Sequence, residues 1–229
     1  MTLDVVMTAR SFDEYRAMFG LTDSDLSRRI LDCPAGASGF TCEATDRGSD
    51  VTACDVAYFA YDPEGLASVA LSETDRGHAY VLAHADHYAW TFFAGPDEHR
   101  LARHTAAQQF SADIRRHPDR YVPGRRLPSL PFSDASFDLV LSSHLLFSYA
   151  DTLDAAFHLD TIVELMRVTS HELRIFPLVP VGSSEPYPRL AELLDELRNR
   201  NIHCRTANVD YEFQRGATQM LVCHHGPSS

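Results

Sequence analysis

The chain alternates between two hydrophobic periods. Over residues 11–29, Phe12, Tyr15, Met18, Phe19 and Leu26 recur at three- to four-residue spacing, which predicts helix, with Ser24 or Asp25 capping a second short segment. Ile30-Leu31-Asp32 is a short apolar strand closed by an acid, and the small residues from Cys33 to Gly39 form a tight turn. Ser38 then caps a helix containing Phe40, Cys42 and Ala44, which Gly48 ends. Val51-Thr52-Ala53-Cys54-Asp55 is a second strand, also closed by an acid. Asp62-Pro63-Glu64 starts another helix with Leu66, Val69 and Ala70 on its apolar face.

Residues 78–118 break the alternation. The stretch from His84 to Phe93 is aromatic, and a polar helical run follows from Glu98 to Arg116. That is long for a connection, so it is expected as a lid or substrate-binding insertion, with Trp90, Tyr88 and His87 as a wall for a bound molecule. Tyr121 to Gly124 is a third strand. Phe137-Asp138-Leu139-Val140-Leu141 is a buried strand, and Ser142-Ser143-His144 stand at its end. A helix over 152–169, a strand over 173–178 and a helix carrying Leu190, Leu193, Leu194 and Leu197 follow. Two closing strands, near Ile202–Val209 and Thr218–Cys223, are linked briefly enough for an antiparallel hairpin.

Strands separated by helices imply an α/β fold, with a mostly parallel sheet covered on both faces. With seven strands and 229 residues, one domain spanning 1–229 is the expectation.

Composition narrows the chemistry. The net charge of -12 disfavours gripping nucleic acid over a broad surface. All 20 basic residues are Arg, so lysine nucleophiles, Schiff bases and P-loop lysines are excluded. The five cysteines show neither metal-finger nor redox spacing. Cys33 and Cys54 are expected as buried thiols, in keeping with a reducing cytoplasm. The residues from Met1 to Asp4 do not begin a signal peptide, and no apolar segment is long enough for a bilayer. His84 and His87 are three apart, but no third ligand is evident, so no metal site is expected. His224-His225 reads as an exposed tail pair, and the last four residues as frayed.

A strand, a small-residue turn, a helix start and a second strand ending in acid make half of a nucleoside site. The turn admits a ligand closely, the helix's first N–H groups can bind an anion, and Asp55 can accept from ribose hydroxyls.

The chain resembles the class I S-adenosylmethionine-dependent methyltransferases. The matching pieces are Ile30 to Ser38, Asp55, the segment Leu130-Pro131-Phe132 to Phe137-Asp138-Leu139-Val140, and Glu164-Leu165-Met166-Arg167-Val168. In order, they cover residues 10–225. The resemblance implies a Rossmann-like doubly wound sheet of seven strands with an antiparallel C-terminal edge hairpin. It implies S-adenosylmethionine as cofactor, with Asp32, Ala35 and Gly36 at its methionyl part and Asp55 at its ribose. Ser142, Ser143 and His144 border the sulfonium and the acceptor, with His144 as base. Tyr15, Tyr88, Trp90 and Tyr149 are candidate acceptor-site residues, and Arg174 and Glu185 weaker ones. A cytoplasmic enzyme acting on a small molecule, without nucleic-acid or membrane partners, is the expectation. Of three alternate turn positions where the family places glycine, Pro34, Gly36 and Ser38 keep only the central one. Arg125 and Arg126 stand where many members have an adenine-contacting Asp. A nicotinamide-dependent oxidoreductase and a non-catalytic nucleoside-binding scaffold are the alternatives.

Overall fold

The structure is a computed structural model, and it describes residues 7–227. The expectations about Met1 to Asp4, and about Ser228 and Ser229, lie outside them.

Helix α1 (Phe12–Phe19) opens with a capping box. The Ser11 side chain accepts from Glu14 N–H, and Glu14 accepts from Ser11 N–H in return. It stops at Gly20, whose φ of 57° is left-handed. Helix α2 (Asp23–Leu26) is capped by Thr22 through a second capping box with Asp25, not by Ser24 or Asp25 themselves, so one loop separates two helices over 11–29.

Strand β1 (Arg29–Asp32), α3 (Phe40–Asp46) and β2 (Asp50–Asp55) follow as expected. Gly39 precedes α3 without a side-chain cap, because the Ser38 hydroxyl is turned inward to Asp32. After a short helix α4 (Ala57–Ala60), α5 (Pro63–Ala83) runs unbroken through residue 78, started by Asp62 accepting from Gly65 N–H. Helix α6 (Pro96–Arg116) packs along α5, so the excursion from the sheet is a helical hairpin beginning at residue 63.

Then come β3 (Tyr121–Pro123), β4 (Phe137–Ser143), α7 (Ala155–Arg167), β5 (Thr169–Phe176), α8 (Leu190–Asn199), β6 (Ile202–Asn208) and β7 (Gln219–His225). The seven strands are ordered β3-β2-β1-β4-β5-β7-β6. The pairings β3–β2–β1–β4–β5 are parallel, and β7 runs antiparallel between β5 and β6. The doubly wound fold expected from the sequence is the one observed.

Alternate residues on each strand face opposite layers. Leu31, Val140 and Leu173 pack with Ile162, Leu165 and Leu197 of α7 and α8. Ile30, Leu139 and Leu141 pack with Phe12, Met18 and Phe40 of α1 and α3. Both faces of the sheet are therefore dry, which explains the near-continuous apolar run in β4. The order reverses between β1 and β4, and the crevice opens at their carboxyl ends.

Cys204 and Cys223 stand opposite each other in the hairpin and form a disulfide, a pairing their 19-residue separation did not announce. Cys33 and Cys54 are buried thiols. His224 and His225 belong to β7, not to a tail, and His225 Nε2 lies 3.0 Å from the Met166 and Thr169 carbonyls. Among the described residues, no helix is long and apolar enough to cross a membrane.

Candidate active site

Two cavities open above the carboxyl edge of the sheet. The first, about 360 Å³, lies over the turn after β1 and is bordered by Tyr15, Ala35, Gly36, Asp55, Arg125, Arg126 and Ser143. The second, about 320 Å³, lies between α5, α6 and the loop after β4, bordered by Thr74, His78, Tyr88, His99, Arg103 and Tyr149. Thr8, Arg10 and His144 line both. Each cavity is at the small end of the range for small-molecule sites.

The turn is internally wired. Gly36 N–H donates to Asp55 Oδ2 (2.9 Å), tying the tip of β1's turn to the end of β2. Ala57 N–H donates to Asp55 Oδ1 (2.8 Å), and Tyr58 O–H to the Gly36 carbonyl (2.6 Å). A strap of chain from Thr8 to Arg10 crosses the same turn. The Thr8 carbonyl accepts from Ala37 N–H (3.2 Å) and the Arg10 carbonyl from Gly39 N–H (2.9 Å). Gly36 has a φ of 57°, and a Cβ there would stand 3.1 Å from the Thr8 oxygen, so this one glycine answers both to the backbone and to the strap. Ser38 N–H donates to the Ala35 carbonyl. The amides of Gly36, Ala37, Ser38 and Gly39 are thus all spent within the chain, and the first helical residue of α3 is Phe40.

In their place stands a guanidinium. Arg10 Nη1 donates to Thr8 Oγ1, and Arg10 Nε is buried without a partner among the described residues. Burial, with the nearby Arg103 cation, depresses its pKa, which marks a charge in want of an anion. Arg103 is itself neutralised. Its Nη1 donates to Glu14 Oε2 (2.6 Å) and to the Ala9 carbonyl (3.1 Å). Glu14 also accepts from Tyr211 O–H (2.9 Å).

Asp32 does not border either cavity. It is fully buried beneath the turn, accepting from Tyr15 O–H (3.1 Å) and Ser38 O–H (3.2 Å). Burial pushes its pKa up to about 8, against the pull of those two bonds. Ser142 likewise borders neither cavity and is buried, its hydroxyl unpartnered among the described residues. Asp55 does line the first cavity; burial raises its pKa while the Ala57 and Gly36 amides oppose the rise.

His144 follows β4 with a φ of 51°, a conformation L side chains rarely adopt, held by its N–H donating to the Phe176 carbonyl (2.7 Å). Its Nδ1 is 2.7 Å from Ser143 Oγ. Burial, then the Arg10 and Arg103 charges, drives its pKa well below the usual imidazole value, so the ring is neutral and one nitrogen carries a lone pair.

Of the candidate acceptor residues, Tyr88 and Tyr149 border the second cavity and Tyr15 the first. Trp90 borders neither; it stands behind the wall, edge-on to His99 and Phe213. Arg174 is engaged by Asp25 (3.0 Å), away from the cavities, and Glu185 is exposed. Thr8, Arg10, His99 and Arg103 were missed in the sequence. Arg10 sits just before a capping box that reads as plain helix punctuation, and His99 and Arg103, four apart, read as one polar helix face.

No protein-family model matches the chain. It is 30% identical over 220 residues, 96% of each chain, to the uncharacterized protein MJ0045 of Methanocaldococcus jannaschii. Among solved structures it resembles the mitomycin 7-O-methyltransferase MmcR, with a TM-score of 0.52 and 12% identity over 94% of this chain and 54% of that one. It also aligns with the magnesium protoporphyrin IX methyltransferase of Synechocystis PCC 6803, crystallised with bound SAH, with a TM-score of 0.48 and 13% identity over 89% and 77%.

Proposed function

The chain belongs to one family with the Methanocaldococcus jannaschii protein and has the class I S-adenosylmethionine-dependent methyltransferase fold, and from that premise we propose that it methylates a small-molecule acceptor in the cytoplasm. The observation that carries this reading is the meeting of two cavities at Arg10 and His144. One chamber suits a nucleoside and the other a second reactant, with a neutral imidazole between them.

The residues present fit the cofactor. Asp55 faces the first cavity with both oxygens already oriented by backbone N–H groups, and it would accept from the ribose hydroxyls. The buried Arg10 Nε, without a partner among the described residues, would meet the methionyl carboxylate, the role that the occupied turn amides leave vacant. Asp32 would act at one remove, orienting the Tyr15 hydroxyl at the cavity wall. When bound, S-adenosylmethionine supplies a methyl group on a cationic sulfonium. The chain's own contribution is placement, which in well-oriented reactions is equivalent to effective concentrations on the order of 10⁵ M or more. His144 would take the acceptor's proton, because burial first, and its two arginine neighbours second, keep it unprotonated.

The second cavity, with walls from α5 and α6, supports a small acceptor over a nucleic acid, as does the acidic net charge. A nicotinamide dinucleotide fits less well, since its pyrophosphate needs the turn amides that Thr8 and Arg10 occupy.

Calorimetry tests the reading. S-adenosylhomocysteine is expected to bind with micromolar affinity, and Asp55→Ala to weaken it about tenfold or more through loss of charged hydrogen bonds. Absence of binding to the wild-type protein would refute the proposal.

A further inference from the structure

His99 borders the second cavity and carries a donor that no described residue uses. His99 and Arg103 lie one turn apart on α6, 3% and 7% exposed. Arg103 Nε–H donates to His99 Nε2 over 3.1 Å. A guanidinium has only donors, so Nε2 must present its lone pair. Burial and the Arg103 charge keep the ring neutral, and its one hydrogen therefore sits on Nδ1. That Nδ1 is buried without a partner among the described residues, as is Nδ1 of the neighbouring His78.

The ring is also clamped. It stacks on Phe213 with centroids 4.4 Å apart and planes 14° apart, and Phe93 meets it edge-on. A fixed N–H donor on a rigid aromatic wall suits a flat ligand with an oxygen acceptor. The charge around the cavity favours an anion. Arg76 is paired with Glu73 and Arg103 with Glu14, which leaves Arg10 as the bordering cation without a carboxylate partner among the described residues.

Resting on the methyltransferase reading, we propose that this cavity is the acceptor site and that it takes a small planar molecule bearing an oxyanion, a carboxylate or a phenolate, seated against His99 Nδ1–H and the Arg10 guanidinium, which reaches both cavities. His99 is then a positioning residue that sets which edge of the ring meets His144.

The test uses the full chain saturated with S-adenosylhomocysteine, titrated calorimetrically at pH 8 with benzoate, 4-nitrophenolate and the neutral benzamide. At least one anion is expected to bind tenfold or more tightly than benzamide, and the stronger of the two names the oxyanion. His99→Phe keeps a clamped ring without the donor and is expected to weaken that anion at least fivefold, with the S-adenosylhomocysteine affinity unchanged. Gly77 on α5 borders the cavity, and a Cβ there meets nothing within 4 Å. Gly77→Leu should therefore fold, bind S-adenosylhomocysteine as before and exclude the anion. Equal binding of benzamide and the anions, or no binding of any of them to the loaded protein, overturns the proposal. Anion binding by a chain that refuses S-adenosylhomocysteine would refute the methyltransferase reading and leave the oxyanion site standing.

Discussion

Tyr15 and Asp32 share a fully buried hydrogen bond, the phenol donating to the carboxyl over 3.1 Å. The carboxyl's pKa of about 8, against an ordinary value near 4, means that the folded chain holds a proton there which the unfolded chain has released. The stability Asp32 contributes in its protonated form is complete below about pH 4 and is lost as pH rises to about 8. Asp32→Asn should remove that loss. In urea unfolding, the variant's advantage over wild type is expected to grow from pH 5 to pH 8 and then level off; a constant difference would place the proton elsewhere.

Arg10 separates two parts of the cofactor. Arg10→Gln is expected to weaken S-adenosylhomocysteine about tenfold or more while leaving adenosine, which has no carboxylate, within about twofold. Equal losses for both ligands, measured by calorimetry, would remove the guanidinium from the methionyl end.

Glu14 is 0% exposed and is the carboxylate partner of Arg103. Glu14→Gln leaves a buried cation uncompensated beside Arg10. A destabilisation of about 3–5 kcal/mol is expected by chemical denaturation, far above that of an exposed pair such as Arg198–Asp195.

His144 combines a left-handed backbone with a neutral ring. His144→Gly relieves the first and deletes the second. Thermal stability should hold or rise, while turnover with an identified acceptor falls about 10²–10⁴-fold. Unchanged turnover would rule out the imidazole as base.

The sheet was legible because its signals are local. Ile30 to Asp32, Val51 to Asp55 and Leu139 to Leu141 each carry the apolar run of a two-faced strand and end at turn chemistry. Gly36 and Asp55 could be singled out for the same reason, and they are hydrogen-bonded to each other. What stayed hidden depends on pairing across distance. Nothing near Asp32 in sequence says that Tyr15 and Ser38 will close over it, and nothing near Arg10 says that Thr8 and Arg10 will occupy the turn's amides. Trp90 misled because aromatic residues in an insertion serve equally as wall and as backing. It packs one layer behind, on the His99 ring that the cavity presents. The long α5 was cut short because its small residues, from Ala67 to Gly77, dilute the apolar periodicity where α6 packs closely on it.

The strap from Thr8 to Arg10 is fastened to the turn by two backbone hydrogen bonds and one glycine's worth of clearance. Amide exchange at Ala37 and Gly39 therefore reports how often the strap lifts. A ligand whose carboxylate engages Arg10 pins the strap from the opposite side, and protection at those two amides becomes a clock for occupancy of the neighbouring chamber.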